Sequence, residues 1–109
     1  SVYFHRMAQT IAGGYMEARE ASKEIQQICD KVKRHVEGKT NKMYGVFKAV
    51  QYRSQVVAGV NYLIKVHVGG HSYLHLKVWK KLPSYGGEVV LFNVEQNPRK
   101  NLSDFFKFL

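Results

Sequence analysis

Gln55-Val56-Val57-Ala58-Gly59 separates two runs of residues that alternate as strands do, and its composition is unusual for a turn. Hairpin tips usually contain Gly, Asn, Asp or Pro, because these residues reach the required backbone angles or cap themselves. Here three apolar side chains occupy the tip, and only Gly59 eases the chain reversal. Apolar groups presented to water indicate packing inside the protein or contact with a partner. The alternative is that the stretch is more strand, with the turn at Gly59-Val60-Asn61.

The flanking residues predict an antiparallel sheet. Met43–Ser54 is interpreted as a strand whose alternation changes phase, which predicts a β-bulge near Ala49. Val60–Val68 alternates cleanly, with apolar side chains on one face. Two further strands are predicted at Tyr73–Lys81 and Glu88–Glu95. Short connections then make all neighbouring strands antiparallel.

The connections and the last strand give further expectations. Gly69-Gly70 predicts one turn, and Leu82–Gly87 forms the next connection. By phase, the last strand should direct Val90, Phe92 and Val94 toward the core. Because the strands run alternately up and down, the Gln55–Gly59 tip and the Leu82–Gly87 connection should project from the same end of the sheet.

Ahead of the strands, Ala18–Glu37 predicts one long helix. Ser22 is a suitable N-cap, and Gly38 is the expected stop. The helix has a single apolar stripe at helical spacing, formed by Ile25, Ile28, Cys29, Val32 and Val36. Residues before the helix could add a fifth, edge strand. The predicted fold is therefore α+β, with an antiparallel four- to five-stranded sheet wrapped around one long helix.

The composition fits one globular domain. The chain has 109 residues, of which 45% are hydrophobic and 23% charged, so we predict a single domain over 1–109 with a flexible arm at 1–12. No apolar run approaches the roughly 18 residues of a membrane span, and the opening residues lack an apolar signal segment. Cys29 is the only cysteine. This predicts a reducing compartment, the cytoplasm.

The sequence gives little support for an enzyme or a metal centre. His67, His71 and His75 are close in sequence, but Lys65 and Lys77 share the predicted face of the sheet and would repel a cation. Cys29 lies on the apolar helix stripe, so it is interpreted as a core residue and not as a nucleophile. Gly69-Gly70 and Gly86-Gly87 are interpreted as glycines of the connections between strands, and no phosphate-binding loop is present. We therefore expect no enzyme activity, no metal and no cofactor.

Three short elements in this order resemble the inhibitory elements of the cystatins. They are Gly13-Gly14 near the start, the Gln55–Gly59 stretch in the first hairpin, and Leu82-Pro83 between the next two strands. With a single cysteine, the chain resembles the stefins, the intracellular branch of that family, and is similar to the stefin A/B type. The resemblance extends from about Gly13 to Phe105.

The resemblance implies a function and a site. It implies a reversible, competitive, tight-binding inhibitor of papain-like cysteine proteases of the cathepsin type. Gly13 and Gly14 would lie along the non-primed side of the protease cleft, and Leu82-Pro83 would contact the primed side. The first hairpin would face the catalytic centre through Gln55, Val56, Val57, Ala58 and Gly59. The protein would act as a monomer without membrane contact.

Two other interpretations remain open. A basic module for nucleic acid or acidic lipid would use the formal charge of +9, with lysines beside Tyr73 and Trp79 on one sheet face. However, the lysines are scattered and no nucleic-acid motif appears, so a solvated basic surface is favoured. The third interpretation is a domain-swapped dimer. In it, a strained hairpin at Val57 straightens into one strand shared by two chains.

Overall fold

A computed structural model describes residues 14–96, which form one helix and a five-stranded antiparallel sheet. The elements in chain order are β1 (Arg19–Glu20), α1 (Lys23–Thr40), β2 (Lys48–Val57), β3 (Gly59–His67), β4 (Tyr73–Lys80), a short 3-10 helix (Pro83–Tyr85) and β5 (Val89–Gln96). The strands are ordered β1-β2-β3-β4-β5 across the sheet. The predicted α+β architecture is confirmed.

The helix begins later than predicted. It starts at Lys23, and the Ser22 hydroxyl accepts a hydrogen bond from the Ile25 backbone N–H at 3.3 Å, as expected of an N-cap. The predicted start at Ala18 is wrong, because the chain before Ser22 is extended and pairs with β2. Arg19 and Glu20 form the fifth, edge strand.

The helix also ends later than predicted. It passes through Gly38 to Thr40, whose hydroxyl donates to the Val36 carbonyl at 3.0 Å. Asn41 then adopts a left-handed conformation with φ 56°, and its N–H donates to the Glu37 carbonyl. Asparagine is among the few residues that tolerate this cap conformation. The predicted stop at Gly38 is wrong because this asparagine cap closes the helix three residues later.

The bulge predicted near Ala49 is present in β2. The β2–β3 register shifts between Ala49 and Gln51. The Gln26 side chain of α1 forms two hydrogen bonds with the backbone beside this bulge. It accepts from the Ala49 N–H at 2.8 Å and donates to the Phe47 carbonyl at 3.0 Å. The helix thus satisfies polar groups at the start of β2, which would otherwise be costly to bury.

The core lies between the helix stripe and the inner face of the sheet. The predicted stripe is buried throughout, and it forms one core cluster with inward-facing residues of β2, β3, β4 and β5. The sheet residues of this core include Ala49, Tyr62, Ile64, Val66, Leu74, Leu76 and Val78. Cys29 is fully buried, and burial raises the pKa of its thiol to about 12. The thiol is therefore protonated at neutral pH, which agrees with a core role.

The inward face predicted for β5 is partly wrong. Leu91 and Val94 pack in the core, but Phe92 lies on the outer face and is 50% exposed. Val90 also leaves the core face, because it pairs with Trp79. The cause is a register shift between Lys77 and Val78 on β4, which inserts Phe92 as an extra residue in β5. A bulge of this kind changes which side chains of a strand face inward.

His75 is buried on the outer face of the sheet. Its side chain is fully inaccessible, and burial, together with the nearby Lys65 charge, lowers its pKa to about 4. Glu95 Oε1 lies 3.8 Å from His75 Nδ1 and would favour a charged ring. We take desolvation to outweigh that attraction, because a wholly buried imidazolium loses its hydration.

Acid is therefore expected to destabilise the fold through His75. In the unfolded chain a histidine takes up its proton near pH 6.5, whereas the native ring takes it up only near pH 4. The contribution to the free energy of unfolding is complete above pH 6.5 and is lost as the pH falls toward 4, by roughly 3 kcal/mol. Urea unfolding at pH 7 and at pH 4.5 should show this loss in the free energy of unfolding. In His75→Gln, the difference in the free energy of unfolding between the two pH values should be smaller. An equal difference in that variant would contradict the assignment.

Candidate functional site

The first hairpin has a very tight tip. Backbone pairing between β2 and β3 continues to Val56↔Val60 and Val57↔Gly59, which leaves Ala58 as the single residue outside both strands. The alternative turn at Gly59-Val60-Asn61 is therefore wrong, although most of the stretch is indeed strand. Gly59 makes the reversal possible with φ 99°, a backbone angle that residues with a Cβ rarely adopt.

The apolar side chains of the tip are open to solvent. Val56 is 46% exposed and Val57 is 42% exposed, and Ala58 is also exposed. Behind them, the Asn61 amide donates to the Gln55 side-chain oxygen at 3.1 Å, which ties the two strands together at the base of the tip. The tip is thus a braced projection whose apolar side chains at 56–58 are exposed in the described part of the chain.

Leu82 and Pro83 form a second exposed apolar projection. Leu82 is 37% exposed, and Pro83 opens the short 3-10 helix. The Leu82 carbonyl accepts from the N–H groups of Tyr85 at 2.9 Å and Gly87 at 3.0 Å, which closes the loop on itself. Tyr85 is 70% exposed beside them. Sequence reasoning did not select Tyr85, although an aromatic residue two positions after a Leu-Pro pair is a usable signal.

The two projections touch. A Cβ placed on Gly59 would collide with the Lys80 carbonyl oxygen, and it would lie 3.0 Å from Trp79 Nε1 and 3.2 Å from the Leu82 backbone nitrogen. In addition, the indole N–H of Trp79 donates to the Ala58 carbonyl at 2.9 Å. The Gln55–Gly59 tip and Leu82-Pro83 therefore form one continuous surface at one end of the sheet, as the strand order predicted.

The chain before β1 runs along the open edge of β2 toward the same end. The Met16 N–H donates to the Ser54 carbonyl at 2.7 Å. Arg53 reinforces this pairing, donating to the carbonyls of Met16 at 2.7 Å and Tyr15 at 2.9 Å. Gly14 continues in the direction of the tip, and nothing lies within 4 Å of where its Cβ would be. Gly13 and the predicted arm at 1–12 lie outside the described residues.

Sequence comparison identifies the family. The sequence model of the cystatin domain matches residues 13–99. The chain belongs to the cystatin family. Its relatives include Cystatin-A of Homo sapiens, 50% identical over 97 residues that make up 87% of this chain and 99% of that protein. Leukocyte cysteine proteinase inhibitor 1 of Sus scrofa is 48% identical over 85% of this chain and 90% of its own length. Cystatin-B of Oplegnathus fasciatus is 45% identical over 86% and 92%.

These relatives confirm the predicted stefin A/B type. Cystatins inhibit cysteine proteases and are not enzymes, so the prediction that this cystatin is not an enzyme is confirmed. Among residues 14–96, no group of three or more His, Cys, Asp or Glu side chains is arranged to hold a metal ion. No helix in the described part of the chain is both long and apolar enough to cross a membrane.

The outer face of the sheet carries the basic residues that a nucleic-acid module would need. Three lysines lie over aromatic rings, namely Lys65 over Tyr73 at 4.8 Å, Lys77 over Phe92 at 6.0 Å and Lys81 over Trp79 at 5.7 Å. These are cation–π contacts within the protein. Because the ammonium groups cover ring faces on which bases would stack, the face gives that interpretation little support.

Proposed function

We propose that this cystatin is a reversible, competitive, tight-binding inhibitor of papain-like cysteine proteases of the cathepsin type. The observation that carries the proposal is the contact between two exposed apolar loops, Gln55–Gly59 and Leu82-Pro83, at one end of the sheet. Exposed apolar groups are stabilised by burial, at about 25 cal/mol per Å² of buried surface. A narrow apolar wedge of this kind is suited to a protease cleft.

Each element has a proposed place in that cleft. Val56, Val57 and Ala58 would lie against the catalytic centre, and Leu82-Pro83 would contact the primed side. Gly13 and Gly14 would lie along the non-primed side, where the absence of side chains lets the chain enter a narrow groove. The pairing of Met16 with Ser54 supports this arrangement, because it directs the preceding residues toward the tip.

The proposal also explains why the inhibitor would resist cleavage. Hydrolysis requires a carbonyl carbon about 3–3.5 Å from the protease thiolate, in correct alignment. A substrate reaches this geometry as an extended strand. The hairpin reverses within the single residue Ala58, so it cannot extend through the cleft in the same way. The wedge would cover the catalytic atoms without engaging them.

Titration of papain with the purified protein tests the proposal. We expect tight, competitive inhibition that is reversed by dilution. Papain whose thiol carries a small blocking group should still bind the inhibitor, because the wedge does not use the sulfur. Absence of inhibition would overturn the function, whereas inhibition with no binding to the blocked enzyme would overturn the wedge and keep the function.

Removing the arm should speed dissociation. Deletion of residues 1–14 is expected to weaken inhibition mainly through a faster off-rate, because the two loops bind first and the arm adds contacts afterwards. Stopped-flow and surface plasmon resonance measurements with papain would separate the two rates. Deletion of residues 1–6 is the control and should leave both rates unchanged. An unaltered inhibition constant after the longer deletion would contradict the proposed role of Gly13 and Gly14.

We further propose that the active form is a monomer in the cytoplasm. The single cysteine, Cys29, is buried and supports a protein that needs no disulfide. A dimer that exchanged strands at Val57 would straighten the hairpin and remove the tip. Size-exclusion chromatography followed by papain assays of each fraction should find the inhibition in the monomer peak, and equal activity in a dimer peak would contradict this.

A further inference from the structure

Trp79, which sequence reasoning assigned only to the basic face, also contacts the tip of the first hairpin. Trp79 lies near the end of β4, and its indole N–H donates to the Ala58 carbonyl at 2.9 Å. An indole nitrogen is a donor only, so its orientation is set by the acceptor. Ala58 is the residue at which the hairpin reverses, outside the backbone pairing of β2 and β3. The bond therefore joins the tip of the β2–β3 hairpin to β4, the next strand of the sheet.

Two neighbours hold the indole in this orientation. Phe92 stacks against Trp79 with the ring centroids 6.2 Å apart and the planes 10° from parallel. The Lys81 ammonium group lies 5.7 Å from the centroid of the indole ring. Phe92 reaches the outer face because it is the extra residue of β5 at the point where the β4–β5 register shifts, opposite Lys77 and Val78. A bulge in the last strand thus supports a ring that contacts the first hairpin.

The same indole lies beside the gap between the two loops. Trp79 Nε1 and the Leu82 backbone nitrogen both border the small space next to Gly59. The tip is therefore restrained on one side by the Gln55–Asn61 bond and on the other by the indole. One bond joins the two strands of the hairpin, and the other joins its tip to β4.

We propose that Trp79, supported by Phe92, is a positioning residue that holds the Gln55–Gly59 tip in its protease-binding conformation. The proposal rests on the inhibitory function proposed above. It adds residues outside Gly13-Gly14, Gln55–Gly59 and Leu82-Pro83. Its physical basis is preorganisation, since a tip that samples several conformations binds with an affinity reduced by the fraction that is competent. Loss of the indole bond is expected to weaken inhibition about 5- to 20-fold, because a smaller fraction of the protein would have the tip in its binding conformation.

The variants separate the hydrogen bond from the ring. Trp79→Phe keeps an aromatic ring against Phe92 and removes the donor, whereas Phe92→Ala keeps the donor and removes its support. Because both act on one restraint, the double variant should be little worse than Trp79→Phe alone. Tyr73→Phe, at the opposite end of β4, is the matched control and should inhibit papain as the parent does. All variants should retain cooperative urea unfolding.

Nuclear magnetic resonance supplies a readout that a general loss of stability would not move. The chain has one tryptophan, so a single indole N–H signal reports the bond to Ala58. In the free inhibitor this proton should exchange slowly with water, and Phe92→Ala should accelerate its exchange. Trp79→Phe should increase the motion of the Val57–Gly59 amides and leave those of the Gly69-Gly70 turn unchanged.

The outcomes are distinct. Weaker inhibition with a more mobile tip supports the positioning role. Full inhibition by Trp79→Phe, or an indole proton that exchanges as in an unfolded peptide, overturns it. Weaker inhibition with an unchanged tip also overturns it, because the indole would then be contacting the protease itself. If the parent protein does not inhibit papain, the proposed function fails, and the exchange measurements alone decide whether Trp79 positions the tip.

Discussion

Replacing Gly59 with alanine is expected to destabilise the fold by about 3–5 kcal/mol and to weaken papain inhibition at least 100-fold. The first part of the cost is backbone strain, because Gly59 has φ 99° and such conformations cost residues with a Cβ about 1–3 kcal/mol. The second part is steric. The new methyl group would collide with the Lys80 carbonyl oxygen and press on the Leu82 backbone nitrogen at 3.2 Å. Overpacking of this kind typically costs about 1–3 kcal/mol.

The effect on inhibition follows from the position of the clash. Lys80 is the last residue of β4 and Leu82 begins the second connection, so relief of the collision must push the two apolar loops apart. Urea unfolding measures the stability of Gly59→Ala, and papain titration under conditions where the variant is folded measures its inhibition. The second measurement separates a displaced loop from an unfolded protein.

Gly69→Ala is the matched control for this variant. Gly69 has φ 106°, so an alanine there would have similar backbone strain. However, nothing lies within 4 Å of the position of the added Cβ. It also lies in the turn at the opposite end of the sheet. We expect a loss of about 1–2 kcal/mol in the free energy of unfolding and unchanged inhibition. Equal effects of the two substitutions would mean that the contact between the loops has no role.

Replacing Val57 with aspartate is expected to abolish tight inhibition while leaving the fold intact. Val57 is 42% exposed in the free protein, so the carboxylate remains hydrated and stability should change by roughly 0.5 kcal/mol or less. In the complex, the same charge would be buried against apolar protease surface without a partner. That penalty is about 3 kcal/mol or more, which corresponds to at least a 100-fold weaker inhibition constant. Circular dichroism checks that the fold is intact, and papain titration measures the inhibition constant.

Val50→Asp provides the comparison on the same strand. Val50 is 37% exposed, close to the value for Val57, but it is the extra residue of the bulge in β2 and lies away from the tip. It introduces the same charge, so any general electrostatic effect on a protein with a formal charge of +9 would be shared. We expect Val50→Asp to inhibit papain normally. Similar losses in both variants would indicate that net charge, and not the apolar tip, governs binding.

Several features of this cystatin were determined by the sequence alone, because they depend on local periodicity and local hydrogen bonding. The alternation of β3 fixes its inner face, and the change of phase in β2 predicts the bulge near Ala49. Ser22 caps the helix, and the apolar helix stripe is buried as its spacing requires. The strand order in turn brings the Gln55–Gly59 tip beside Leu82, which needs only short connections between antiparallel strands.

The tertiary structure decided whatever depends on a partner strand or on a distant group. Phe92 faces outward because β4 and β5 shift register, and one strand's own alternation contains no record of that shift. The pairing of Met16 with Ser54 and the burial of His75 likewise arise between segments far apart in the chain. The bond from Trp79 to Ala58 joins residues 21 positions apart. Such contacts are fixed by packing and register across the sheet, for which neighbouring residues carry no local signal.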